Sequence, residues 1–219
     1  MNKKLLKTTI ILFVIAVVYT LLVKFVGVDS VGPNNSEIGF AWFNTWFHNL
    51  FGTSNLWYKI TKYLGLVPFL ICAYYGLIGI KQLIKKKKIS KVDKRLIYLG
   101  AFYILMLVVY IFFEKVIINY RPVILDGELE ASYPSSHTML AICICMSSLL
   151  ISKYYVKDKY RKIFDNITFV LMILLVVGRI ISGVHWITDI IGGILISLFL
   201  VSLYNTFIYE NKKKKSIKA

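Results

Sequence analysis

The sequence predicts an all-α integral membrane protein: six transmembrane helices in one domain over residues 1–219, with both termini cytoplasmic. Three observations carry this. First, 58% of the 219 residues are hydrophobic and only 17% are charged, and mean hydropathy is +0.67. Soluble domains run at roughly 45–50% apolar and about 25% charged. Second, six apolar stretches each approach the roughly 17–25 residues that a membrane-crossing helix needs. Third, lysine and arginine crowd alternate connections between those stretches, the asymmetry that sets topology.

The first stretch runs from about Thr8 to Val28. Lys3 and Lys4 before it resemble a signal-peptide start, but Val23-Lys24-Phe25-Val26 offers no small-residue cleavage site, so a retained span is expected. The second runs from about Ile60 to Ile80, with Pro68 as a kink. The third covers Leu96 to Phe113, the fourth Pro134 to Ser152, the fifth Phe164 to Ile181 and the sixth Ile187 to Tyr209. Backbone groups in lipid must pair within their own segment, so each stretch reads as a helix. No alternation of period two suggests a barrel. On the sixth span Gly192, Gly193 and Ser197 suit close helix packing inside the fold. Cys72, Cys143 and Cys145 lie in apolar runs and read as small buried hydrophobes, not a disulfide framework.

The net charge of +16 invites a nucleic-acid reading, but the positions of the charges argue against it. The N-terminal tail, the second-to-third and fourth-to-fifth connections and the C-terminal tail hold 21 of the 27 basic residues. The other six, Lys24, Lys59, Lys62, Lys115, Arg121 and Arg179, fall on the opposite face. The positive-inside rule places both tails in the cytoplasm and accounts for the charge without nucleic acid. The first outer connection, 27–57, carries Phe40, Trp42, Phe43, Trp46, Phe47 and Phe51. This segment reads either as a short helix on the outer surface or as a cap packed on the bundle ends. His48 within it reads as an interfacial residue. No soluble domain or repeat is evident, and oligomeric state is not encoded.

Three polar patches lie at span ends on that outer side: Lys115 to Pro122, Tyr133 to His137, and Gly178 to Asp189. They hold two of four arginines, Arg121 and Arg179, and two of three histidines, His137 and His185. Pro134 suits a first helical turn. Ser135 and Ser136 then offer hydroxyls and free N–H groups, which make a helix N-terminus an anion site. Arginine forks match phosphate oxygens. His185 and Asp189, four apart, are expected on one helical face, with the carboxylate taking the Nδ1 proton and leaving Nε2 as a nucleophile. Singly, each signal is weak: Pro-Ser-Ser-His is a common helix start, and His-x3-Asp is often a surface pair. Their order and shared face give them weight, and they put the active site on the extracytoplasmic face.

Together these residues resemble the membrane-bound type-2 phosphatidic acid phosphatase, or lipid phosphate phosphatase, superfamily. Its signature reads Lys-x6-Arg-Pro, Pro-Ser-Gly-His and Ser-Arg-x5-His-x3-Asp. The third part matches at Arg179, His185 and Asp189, with Gly178 in place of serine. The second matches at Pro134, Ser135 and His137, with Ser136 in place of glycine. The first matches at Arg121 and Pro122, but Lys115 is one residue too close and Glu114 holds the expected position. One residue turns a helical side chain by about 100°. Either the long Lys115 side chain still reaches a phosphate, or Glu114 faces it.

The resemblance implies hydrolysis of a lipid phosphate or diphosphate without metal or other cofactor, through a phosphohistidine. His185 is the implied nucleophile and Asp189 its orienting partner. His137 is the acid and then the base. Arg121, Arg179, Ser135, Ser136 and Lys115 are the implied phosphate-binding groups. The substrate expected is a membrane lipid: undecaprenyl diphosphate, phosphatidylglycerol phosphate or phosphatidic acid. The acidic residues Asp126, Glu128 and Glu130 form either a solvated rim or a bias against diphosphates. The alternatives are a phosphotransferase using the same phosphohistidine and a lipid-phosphate-binding protein without turnover. A cell-membrane location in a bacterial envelope follows from the same resemblance.

Overall fold

The computed structural model describes residues 3–125 and 127–216. Asp126, placed above on the acidic outer loop, and Lys218 of the basic tail lie outside the described residues. Eight α-helices follow in order: α1 (Lys3–Phe25), α2 (Ala41–Phe51), α3 (Asn55–Leu64), α4 (Val67–Lys86), α5 (Lys94–Lys115), α6 (Ser136–Tyr155), α7 (Asp158–Ser182) and α8 (Ile187–Ser216). Six segments are long and apolar enough to span a bilayer: α1, α3 with α4, α5, α6, α7 and the part of α8 up to Tyr209. The chain is a multi-pass membrane protein. Among the described residues, extended pairing is limited to isolated bridges such as Tyr120 with Ala131.

Burial ranks the helices. In the most apolar windows of α6 and α8, 61% and 56% of residues are buried, against 17–33% in the other spans. These two helices therefore form the centre. Met139, Cys143, Ile144, Leu200 and Tyr204 pack between them and their neighbours. The outer helices turn Phe13, Leu77, Ile104, Val108, Ile167 and Val170 outward. Such side chains suit acyl chains, which are as apolar as the residues themselves. Gly192 lets the Tyr133 ring lie flat on α8, because a Cβ there would meet ring atoms. Ser197 Oγ donates to the Gly193 carbonyl at 2.6 Å and lies 3.3 Å from the Met139 carbonyl. The small residues of α8 thus serve packing within the chain.

Local chemistry explains most helix ends. Ser54 caps α3 by accepting from the Trp57 N–H, and Asp93 caps α5 by accepting from the Arg95 N–H. The second span is broken at Gly65–Leu66, and Pro68 sits in the first turn of α4, where a missing N–H costs nothing. The sequence placed Pro134 inside the first turn of α6. Instead Ser135 is the N-cap, and Pro134 stands before it, joined to Tyr133 by a cis peptide bond. The Ser135 N–H donates to the Asp189 carbonyl at 3.0 Å, so it is not free for an anion. Helix α7 stops at Gly183, whose φ is +64°. A side chain there would overlap the Gly52 carbonyl, so glycine lets the α2–α3 loop close against the α7–α8 turn.

Helix α2 satisfies both readings of the aromatic segment. Trp42, Trp46, Leu50 and Phe51 are exposed, while Ala41 and Asn44 are buried against the bundle. The Asn44 amide donates to Gly39 O at 2.7 Å and Thr188 Oγ1 at 2.9 Å. This fixes the segment directly over the start of α8.

Candidate active site

The connection from α5 to α6 folds back as a narrow hairpin. Arg121 N–H donates to the Glu130 carbonyl at 3.1 Å, and Ser132 N–H to the Asn119 carbonyl at 2.9 Å. Asn119 and Ser132 are thereby buried side by side under the α7–α8 turn. That turn carries His185, and the first turn of α8 carries Asp189.

The sequence predicted a direct His185–Asp189 bond along one helical face. The helix starts only at Ile187, so His185 lies in the turn before it. The link runs through Ser132 instead. Ser132 Oγ donates to Asp189 Oδ2 at 2.5 Å and lies 3.0 Å from His185 Nδ1. Asp189 Oδ1 accepts from Asn119 Nδ2 at 3.0 Å, and Oδ2 also accepts from the Trp186 N–H at 3.1 Å. Asn119 Oδ1 in turn accepts from the Gly39 N–H at 2.9 Å.

This arrangement selects the imidazole tautomer. A hydroxyl has one proton, and here it points at the carboxylate. Ser132 Oγ therefore faces Nδ1 with a lone pair. The second neighbour of Nδ1, the Ser132 carbonyl at 3.2 Å, is also only an acceptor. Nδ1 must carry the hydrogen, which leaves a lone pair on Nε2. Nε2 is buried and has no hydrogen-bond partner among the described residues. His185 is held well below the ordinary histidine pKa, first by burial and then by the charges of Arg121 and Arg179. The bond to the Ser132 backbone pulls weakly the other way.

Arg179 is 1% exposed, and none of its three guanidinium nitrogens has a hydrogen-bond partner among the described residues. It lies against the Tyr58 ring, with the guanidinium carbon 5.5 Å from the ring centroid. Each buried donor left unpaired costs about 1–3 kcal/mol, and a charged one more. Arg121, nearby and mostly covered, is not bare. Its Nε lies 2.9 Å from Glu130 Oε2, in ion-pair contact but without hydrogen-bond alignment. The structure thus resolves the acidic rim at one position: Glu130 sits on Arg121, while Glu128 is exposed.

His137 lies at the start of α6 with its Nδ1 buried and unpartnered. It lines a cavity of about 70 Å³ together with Lys62, Gly65 and Leu175. Arg179, Arg121 and Lys62 lie near enough for their charges to act on it. The first-turn N–H groups of Ser136, His137 and Thr138 have no carbonyl within the helix to bond. The Ser135 side chain is fully buried and accepts from Thr138 Oγ1 at 3.1 Å. Lys115 and Glu114 are both exposed at the end of α5.

Arg121, His137, Arg179, His185 and Asp189 therefore share one neighbourhood. Sequence reasoning missed Ser132, Tyr58 and Lys62 as parts of it, and gave Asn119 and Asn44 no role. None carries a local signal, because each arrives through a hairpin or a helix crossing.

The departure at Gly178 also has a local reason. A Cβ there would crowd Thr61 Cγ2 and lie 3.3 Å from Trp57 Cε3. Glycine lets α3 lie tightly on α7, which brings Tyr58 beside Arg179.

Comparison with known proteins identifies the family and the fold. Over 96 residues the chain is 30% identical to phosphatidylglycerophosphatase B of Bacillus subtilis (strain 168), a match covering 43% of this chain and 46% of the relative. The chain thus spans under half the length of that curated relative. The fold superposes on the crystal structure of a transmembrane PAP2 type phosphatidylglycerolphosphate phosphatase from Bacillus subtilis with a TM-score of 0.60. Identity there is 19%, and the match covers 92% of this chain and 96% of the other. The family model of the PAP2 superfamily matches residues 96–213, more than half the chain and all three polar patches, so the protein belongs to the PAP2 superfamily.

Proposed function

We propose that the protein hydrolyses a phosphate or diphosphate group from a membrane lipid, without metal, through a phosphohistidine. One observation carries the reading. A buried, unpaired guanidinium on Arg179 and a bare imidazole lone pair on His185 stand near enough for the charge of one to act on the other. A tetrahedral phosphate answers both, giving oxygens to the cation and phosphorus to the nucleophile.

His185 Nε2 attacks phosphorus, the bond from phosphorus to the lipid oxygen breaks, and His137 gives that oxygen a proton. His137 then takes a proton from water as the water attacks the phosphohistidine. That second step frees inorganic phosphate and restores His185. Asp189, through Ser132, offsets the positive charge that develops on the imidazole. Arg121, Arg179 and the first-turn N–H groups at Ser136 stabilise the equatorial oxygens, usually the largest single contribution to such a step. Ser135 supports the helix start from below, and Lys115 stands at the outer edge.

The positive-inside asymmetry supports an extracytoplasmic site, level with lipid headgroups. The candidate substrates are phosphatidylglycerol phosphate, undecaprenyl diphosphate and phosphatidic acid. The first gains support from the name of the curated relative. The test is phosphate release by purified protein from these lipids, with and without chelator, alongside His185→Ala. Turnover that survives chelation and vanishes in the folded variant is expected. Substantial hydrolysis by His185→Ala would overturn the nucleophile assignment.

A further inference from the structure

The cavity beside His137 has a feature that the reaction above does not use. Its walls are apolar at Leu66, Phe69 and Leu175, and the one charged group lining it is Lys62. Lys62 stands in the last turn of α3, exposed, with Nζ 5.7 Å from the centre of the Tyr58 ring. Arg179 neighbours the same ring. Gly65 ends α3 here, and even a Cβ at this position would lie 3.4 Å from His137 Cδ2. The second span is therefore broken where it brings a lysine to the acid–base histidine.

In-line displacement fixes what this cavity faces. The nucleophile, His185, approaches phosphorus from one side, and the leaving oxygen departs on the other, where His137 protonates it. The cavity next to His137 therefore receives the leaving part of the substrate. Its apolar walls suit the lipid body. Its lysine suits an anion that stays on that lipid after cleavage.

We propose that Lys62 is a specificity-determining residue that binds a second phosphate retained by the leaving lipid. This rests on the hydrolase reading above and narrows its substrate class. Phosphatidylglycerol phosphate leaves as a phosphodiester, and a prenyl diphosphate leaves as a monophosphate. Phosphatidic acid leaves as neutral diacylglycerol and gives Lys62 nothing to hold. The exposed Lys115 does not line this cavity, so the cation displaced from the first patch has a counterpart from α3.

The test compares kcat/KM for phosphatidylglycerol phosphate, a prenyl diphosphate and phosphatidic acid, using full-length wild-type protein, Lys62→Gln and Lys62→Arg. Lys62 is exposed, so both variants are expected to fold, which matched thermal unfolding checks. In Lys62→Gln the preference for a doubly phosphorylated lipid over phosphatidic acid falls by about tenfold, the size of one lost charge-assisted bond. In Lys62→Arg the preference survives. A fall with only one of the two doubly phosphorylated lipids identifies which of them Lys62 reads. An unchanged preference in Lys62→Gln, whether all three rates drop together or none does, overturns the proposal. No phosphate release by wild-type protein from any of the three lipids overturns the hydrolase reading itself, and the role of Lys62 with it.

Discussion

Ser132→Ala isolates the bridge between carboxylate and imidazole. Ser132 is 2% exposed, so solvent does not screen its bonds. The substitution removes the 2.5 Å bond to Asp189 Oδ2 and the 3.0 Å contact with His185 Nδ1. Asp189 keeps Asn119 and the Trp186 N–H, and Nδ1 keeps the Ser132 carbonyl, so the site stays assembled. A hydrogen bond to a charged group contributes about 1.5–3 kcal/mol. If that bond strengthens only as charge develops on His185, its loss lowers kcat roughly 10- to 150-fold. KM should hold, because Ser132 does not touch the phosphate. The assay is steady-state phosphate release for the single variants Ser132→Ala and Asp189→Asn and for the double. The two act through one bond, so their losses are expected to be far from additive. Wild-type kcat in Ser132→Ala, or fully additive losses, would refute the bridge.

Arg179→Met removes an unpaired buried cation. It is expected to raise the thermal midpoint in phosphate-free detergent while lowering turnover roughly 10²–10³-fold, so a lower midpoint counts against the unpaired state. Glu130→Gln frees Arg121 from a partner that is 44% exposed. Such pairs contribute at most about 1 kcal/mol, so KM should fall by up to about fivefold, and a rise in KM contradicts the competition. The depressed pKa of His185 means that protonation needs more acid than usual. The acid limb of kcat/KM should therefore lie below pH 6.5 and move upward in Arg121→Gln, as a pH–rate profile would show.

The spans were legible because lipid imposes one rule on every segment, and the apolar lengths obey it. Their ends were less so. Helix α7 begins at Asp158, six residues before the expected Phe164, because Lys159, Arg161 and Lys162 extend a helix beyond the apolar stretch. The break at Gly65 was missed because the apolar run continues through it. Spacing located His185 and Asp189 but misassigned their link. The four-residue interval implied a shared helical face, yet Gly183 ends one helix and Ile187 begins the next, so a turn presents the histidine. A lone serine in a loop carries no pattern. Ser132 acquires its role only when the hairpin pairs it with Asn119.

The division of labour along the chain follows from this. The residues proposed for the phosphate chemistry all lie within the stretch that matches the family, 96–213. Ser132, Asn119 and Trp186, which hold His185 and Asp189 directly, lie within it too, but further supports come from outside it. Gly39 anchors Asn119, Asn44 anchors Thr188 at the start of α8, and Tyr58 lies against Arg179. Thr61 and Trp57 leave no room for the serine that the family pattern carries at position 178. The departure at Gly178 is therefore an adjustment to this chain's own first half. Gly178 admits α3, and α3 brings Tyr58 to Arg179 and Lys62 to His137. In the proposed reaction those α3 residues stand on the leaving-group side, where a difference in side chain would change which lipid is preferred.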